Sequence, residues 1–336
     1  MRITTNAILR NYKNNLSNTI STLNTSRTHV MTNRSFNSAA ENPASAARAS
    51  QLHRKYFKNQ DSLSMVKDVQ SRMDSQEAAL MQVSNVAKTI AKEYSLEAVN
   101  GTNQGISERQ TYASALRQYQ KSMVLSLNST CEDTFVFAGS DGKNTPFVLS
   151  DDGTLTYRGI DVNSAEGTPQ YESLTKYSKE NLFVDLGMGL SLDEIDRVVP
   201  SSAFDMSLPG INAVGFGKDK DGDNINAITM VGQMADLLEA DDFDAEAYSN
   251  LMLKFDDASS RILDSVTELG VKSEFLGTTK ERLEDEEVSI QEQMKNVEGV
   301  DMAAAITDYM WNQYAYNAAL KVGTSILSSS FIDFMR

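Results

Sequence analysis

The chain has 336 residues, of which 40% are hydrophobic, and a formal charge of −15. That is enough apolar material for two or three packed domains and excludes a disordered polypeptide. The single cysteine, Cys131, excludes an intramolecular disulfide, and no run approaches the ~18 to 20 apolar residues of a membrane span.

Between Met1 and Ala40, eight asparagines and twelve serines or threonines surround Leu9, Tyr12, Leu16, Ile20, Leu23 and Val30, which keep helical spacing. A polar, uncharged helix with so narrow a stripe is marginal alone, because ordering each residue costs ~1 to 2 kcal/mol. This segment is expected to order against other copies or other proteins. Met1 to Arg10 holds no apolar core of a signal peptide, so an exported chain is expected to leave by a route that needs none.

From Val66 an apolar stripe passes through Val69, Met73, Leu80, Val83, Ala87, Ile90 and Tyr94. A second runs Ile106, Tyr112, Leu116, Tyr119, Met123 and Leu127. Asn100-Gly101 and Gly105 separate them, which predicts an antiparallel helical hairpin. The composition then changes. Twelve of the 18 glycines and four of the five prolines fall between Gly139 and Gly232. Thr134 to Phe137, Thr154 to Tyr157 and Leu182 to Asp185 read as short strands between turns such as Asp141-Gly142 and Asp152-Gly153.

The strongest periodicity follows. Tyr248, Phe255, Ile262, Leu269, Leu276, Leu283, Ile290 and Val297 are large and apolar at every seventh position. At about 1.5 Å per residue this helix would run roughly 75 Å and must share its stripe with partner helices. The companion positions are weaker, with Leu251, Ala258, Val266 and Met294 apolar but Lys272 polar, which predicts a bundle seam rather than a two-stranded coiled coil. At the C-terminal end Ile306, Met310, Leu320, Leu327, Phe331 and Phe334 share a face, and from Ala303 to Ile332 the chain is charged only at Asp308 and Lys321.

These segments predict a mainly α fold: a long antiparallel helical bundle or coiled-coil rod from the N- and C-terminal halves, with a small inserted β-rich domain. Residues 46–138 and 233–299 form the rod, 139–232 the β-rich outer domain, and 1–45 and 300–336 terminal helices that order on assembly. Charge is polarised along the chain: residues 1–60 carry nine Lys or Arg against Glu41 alone, and residues 241–300 carry sixteen acids against six bases. Opposite signs favour attraction within or between subunits. Without a dense Arg/Lys cluster interleaved with aromatics, nucleic acid is not expected as a partner.

Catalytic candidates are few. His29 and His53 are the only histidines and read as surface residues. Asp219 to Asp223 has part of a calcium-loop composition, but an EF-hand frame would put Gly217 at the first ligand and Ile228 at the closing glutamate, so a solvated turn is expected. Gly215-Phe216-Gly217 is too sparse for a phosphate loop, and Cys131 reads as a buried structural thiol. No catalytic, cofactor or metal-binding set is expected.

Three segments together carry a resemblance: Met1-Arg2-Ile3-Thr4-Thr5, the stretch Phe36-Asn37-Ser38-Ala39-Ala40-Glu41-Asn42-Pro43-Ala44-Ser45-Ala46-Ala47-Arg48-Ala49, and Val300-Asp301-Met302-Ala303-Ala304-Ala305-Ile306. They resemble the bacterial flagellin superfamily. Within it, Phe135-Val136-Phe137-Ala138-Gly139-Ser140 followed by Thr145-Pro146-Phe147 is similar to the hook-associated, hook-filament junction branch. Glu41-Asn42-Pro43 stands where the superfamily commonly has Asp-Asp-Pro, and the ending Phe334-Met335-Arg336 is closer to flagellin itself.

The resemblance implies a structural, non-enzymatic subunit, exported through the flagellar channel to the extracellular flagellum. Its terminal helices would pair into the inner layer of a tube, with Leu9, Tyr12, Leu16, Leu23, Ile306, Met310, Leu327 and Phe331 as subunit contacts. The implied partners are the hook-side junction protein, flagellin, other copies of the chain and an export chaperone on the C-terminal helix. A flagellin filament subunit is the alternative, and an unrelated coiled-coil binding module or enzyme the distant one.

Overall fold

The computed structural model describes residues 2–95 and 105–334, and side-chain surroundings over 7–95 and 105–325. The Asn100-Gly101 turn lies outside the described residues. The chain divides into two compact units, residues 1–60 with 284–336 and residues 61–283. Two long helices, α2 (Pro43–Glu93) and α7 (Ala245–Glu298), contribute to both.

In the unit of residues 61–283, the segments of α2 and α7 pack with α3 (Ile106–Leu127) and α6 (Ala227–Glu239). Val66, Val69, Met73, Leu80, Val83, Ala87, Ile90 and Tyr94 are all buried, as the α2 stripe requires. Tyr248, Phe255, Ile262, Leu269, Leu276 and Leu283 of α7 are buried in the same core. Leu116, Met123 and Leu127 line the inner face of α3, whereas Ile106 is exposed. Tyr94 stacks edge-on against Tyr112 at 5.3 Å and Tyr119 at 5.8 Å, and its carbonyl accepts from the buried Tyr248 hydroxyl at 2.9 Å.

Helix α6 begins at Ala227, inside the segment expected to be β-rich. Its N-cap is Asn226, whose side chain accepts from Ile228 N and Thr229 N and so satisfies two free amides of the first turn. Nine of its thirteen residues are buried, and Gly232 leaves room for Gln120 of α3, which donates to the Ile228 carbonyl at 3.1 Å.

The irregular part of this unit holds short antiparallel strands. A hairpin pairs β1 (Thr130–Cys131) with β2 (Thr134–Phe135), and a meander joins β3 (Phe147–Leu149), β4 (Leu155–Tyr157) and β5 (Ile160–Asp161) in that order. Helix α4 (Pro169–Ser178) follows, then the pair β6 (Phe183–Val184) and β7 (Phe204–Asp205), and the short helix α5 (Gly210–Val214). The motif Phe135 to Ser140 enters this region. Val136, Phe137 and Ala138 are buried, and the Phe137 carbonyl accepts from Gly210 N at 3.0 Å and from the Tyr157 hydroxyl at 2.9 Å. Gly139 takes φ +65, where a side chain would run into Glu180. Glu180 accepts from Ser140 N, Ser140 Oγ and Arg158, whose guanidinium lies 4.0 Å from the Tyr177 ring centre.

The unit of residues 1–60 and 284–336 contains α1 (Arg2–Thr32), the first part of α2, the last part of α7, and α8 (Met302–Phe334). Leu52, Ile290 and Ala305 are buried in it. Among the described residues no helix is long and apolar enough to cross a membrane.

Candidate assembly surface on the terminal helices

Helix α1 lies antiparallel to α8. Tyr12 reaches Gly323 near one end, Asn312 Nδ2 donates to Ser26 Oγ at 2.5 Å further along, and Arg34 bridges Gly299 at the other. The α1 seam is Leu9, Tyr12, Leu16, Thr19, Leu23, Ser26 and Val30, each half-buried at alternating steps of three and four. The α8 seam is Ala305, Tyr309, Asn312, Tyr316, Ala319 and Gly323, at steps of four and three. Both are heptad seams. Three of the six α8 positions are Ala or Gly, which lets the two backbones approach closely.

Of the residues the sequence singled out for this surface, Leu9, Tyr12, Leu16 and Leu23 face α8 of the same chain. Ile306 and Met310 lie outside the seam and are 43% and 47% exposed. The side chains of Leu327 and Phe331 lie outside the described residues. Sequence reasoning missed Tyr309, Tyr316 and the small residues between them. Their four-three spacing was the available signal, obscured by stronger apolar residues on other faces. Trp311, Tyr314 and Val322 are exposed beside Ile306 and Met310. A helix that is apolar on nearly every side calls for cover on nearly every side, and α1 covers one.

The joint where α1 meets α2 and α7 meets α8 is pinned by two carboxylates. Ser35 N donates to the Glu298 carbonyl at 2.7 Å, while the Glu298 side chain sits 2.6 Å from His53 Nε2 and 3.2 Å from Arg34 Nη2. Glu41 accepts from Asn37 N at 2.7 Å and lies 3.5 Å from His29 Nε2. The Asn37 amide is the main reason its carboxyl is held below the usual carboxylate range. Asn42 then accepts from Ser45 N at 3.1 Å and caps α2, with Pro43 at the first helical position. Glu41-Asn42-Pro43 is thus a turn clamp followed by a helix start. An asparagine cap does the same work as an aspartate. Both histidines of the chain lie against carboxylates of this joint, His53 at hydrogen-bonding distance and His29 farther off, rather than standing free on the surface.

Other charged clusters are engaged structurally. Lys254 Nζ lies 2.6 Å from Asp219 Oδ2 and 3.7 Å from Asp221, and also contacts Asp223. Its ammonium occupies the centre of the loop whose composition suggested calcium. Cys131 is half-buried, more open than expected, with Ser71 Oγ 4.0 Å away. The groove beside Phe183, Leu186, Phe204 and Phe275 is mainly apolar. Its Lys272 is held by Glu268 at 2.9 Å and the Ser207 carbonyl at 3.3 Å, and its Asp205 by the amides of Leu182 and Ser207.

Residues 3–140 match the model of the bacterial flagellin N-terminal helical region. No curated protein is similar enough to be matched. Among solved structures, a chain described as a flagellar hook-associated protein from Vibrio parahaemolyticus superposes with a TM-score of 0.59 at 16% identity, over 77% of this chain and 100% of that one. FlgL from Xanthomonas campestris superposes with a TM-score of 0.50 at 14% identity, over 74% of this chain and 99% of that one. At these identities the likeness is one of fold.

Proposed function

We propose, on the premise that this chain carries a flagellin N-terminal helical region on the fold of flagellar hook-associated proteins, that it is a structural subunit of the bacterial flagellum. Its role is that of a junction protein, joining the hook side to the flagellin filament. The observation that carries the reading is the unfinished burial of α8: its seam on α1 covers Ala305 to Gly323, and Ile306, Met310, Trp311, Tyr314 and Val322 stay exposed. In a tube these residues would be covered by other subunits. Burying an apolar side chain is worth about 1.5 to 3 kcal/mol, and a ring of copies repeats each contact.

The task is mechanical, without catalysis. Leu9, Tyr12, Leu16 and Leu23 hold α1 on α8, and Ile306 and Met310 face neighbours. The narrow, partly polar seam supports terminal segments, 1–45 and 300–336, that order fully only on assembly. It supports export as an unfolded chain through the flagellar channel, with a chaperone covering α8 until release. Partners are the hook-side junction protein, flagellin and further copies. Residues 135–147, similar to the junction branch, favour this role over that of the filament subunit.

Immunogold electron microscopy of intact flagella tests it. Label confined to a short band where hook meets filament is expected. Label along the whole filament would make the chain flagellin, and absence of label from flagella would refute both.

A further inference from the structure

On the α2 and α7 segments of the unit of residues 1–60 and 284–336, two large apolar side chains are exposed. Phe57 on α2 is 60% exposed and Val288 on α7 is 66% exposed. At about 100° per residue, Phe57 sits roughly 120° around α2 from the line of Ala49, Leu52, Asn59 and Leu63. Val288 sits roughly 160° around α7 from the line of Leu283, Ile290 and Val297. Neither side chain belongs to the packing that holds α2 to α7.

Their charged surroundings have opposite sign. Residues 48–60 contain Arg48, Arg54, Lys55 and Lys58 and no acid. Arg54 lies one turn before Phe57, and both it and Lys55 are exposed. Residues 284–298 contain six acids and one lysine. Glu284 and Glu292 stand one turn before and after Val288, with Asp285 beside them, all exposed. One chain therefore carries an apolar knob in a basic field and another in an acidic field.

We propose that these are the two halves of a heterologous contact between copies of this chain, the Phe57 face of one copy docking on the Val288 face of the next. This rests on the assembly role proposed above and names the surface and the partner. Made once per pair of copies, such a contact leaves a free Phe57 face on one copy and a free Val288 face on the other, and so propagates around a ring or along a helix. Like patches repel, which disfavours arrangements that set Phe57 face on Phe57 face or Val288 face on Val288 face. An exposed ion pair contributes little alone, so the apolar knobs supply the adhesion and the charges supply partner choice and salt dependence.

The test uses the full chain in cells lacking the native gene, with Cys131→Ser as background and a short bis-maleimide cross-linker applied to isolated flagella. Ser50→Cys, two turns before Phe57 on the same face, and Ser289→Cys, next to Val288, are both exposed and leave the apolar knobs in place; the two chains expressed together should give cross-linked dimers, and either alone should give none. Glu284→Lys with Glu292→Lys should lower the yield at least tenfold, and Arg54→Glu with Lys55→Glu in the Ser50→Cys partner should restore it. Chains present in flagella without mixed dimers, dimers from a single-cysteine chain, or failure of the charge swap to restore them would overturn the docking. Chains absent from flagella would instead strike down the assembly role, and the docking with it. Circular dichroism of the soluble variants checks that these exposed substitutions leave the helices intact.

Discussion

Met310→Asp separates folding from assembly. Met310 is 47% exposed and lies outside the seam that α8 makes with α1, so its replacement removes little from the isolated chain. Surface substitutions of this kind stay within about 0.5 kcal/mol. If a neighbouring subunit covers the exposed half of the side chain, that cover is worth about 1 kcal/mol, given ~1.5 to 3 kcal/mol for full burial of a methionine. An aspartate trapped there would add the cost of an unpaired buried charge, about 3 to 5 kcal/mol. The sum, about 4 to 6 kcal/mol, reduces incorporation by a factor of about 1,000 or more, since 1.4 kcal/mol is tenfold. Chemical denaturation of the purified chain gives the first quantity. Quantitative blotting of isolated flagella gives the second. Normal incorporation, or a monomer destabilised by more than about 2 kcal/mol, would refute the assignment of this face to neighbours.

Phe255→Ala should act in the opposite way, because Phe255 of α7 is fully buried in the core of its unit; a loss of about 3 to 5 kcal/mol is expected in denaturant unfolding. Gly323→Leu should loosen the terminal pair, since even a Cβ there would lie 2.0 Å from the Tyr12 hydroxyl; faster amide exchange in α1, with the exchange of α7 unchanged, is the readout. Glu180→Ala leaves Arg158 without its carboxylate at side-chain exposures of 19% and 15% and should cost about 2 to 3 kcal/mol, below the full cost of breaking a buried pair because both groups are partly solvated. Burial pushes the Glu180 carboxyl up, but hydrogen bonds from Ser140 and Arg158 outweigh it and hold the group below its ordinary value near 4.5. A depressed carboxylate contributes stability above its unfolded value and loses it as pH falls through the folded one. Wild type should therefore lose stability below about pH 4.5 more steeply than Glu180→Ala, in thermal melts across pH. Chelators should leave the melting temperature unchanged, because Lys254 fills the Asp219 to Asp223 loop; a fall on adding EDTA would show that a metal holds it.

Long periodic stripes were legible in the sequence because burial repeats at each turn. The heptad from Tyr248 to Ile290 is buried throughout, and so is the α2 stripe from Val66 to Tyr94. Strands were placed to within a residue or two where turn glycines framed them, as at Leu155 to Tyr157 and Phe183 to Val184. Helix α6 was harder to see. Gly232 suggested the irregular region, yet it serves close packing on Gln120. The terminal seam was half legible. Large residues on α1 announced it, but the matching face of α8 is built from Ala, Tyr, Asn and Gly, and hydropathy points instead to the exposed Ile306 and Met310. Long-range polar contacts left no local signal: His53 binds Glu298 across 245 positions, and Lys254 reaches back 35 to Asp219.

The most direct test of the junction role is to delete the gene in its host, image the cells by electron microscopy, and assay the medium for flagellin. Hooks without filaments, with intact flagellin released into the medium, are the expected result. Normal filaments in the deletion strain would contradict the junction role, and loss of flagellin from both cells and medium would identify the chain as the filament subunit instead.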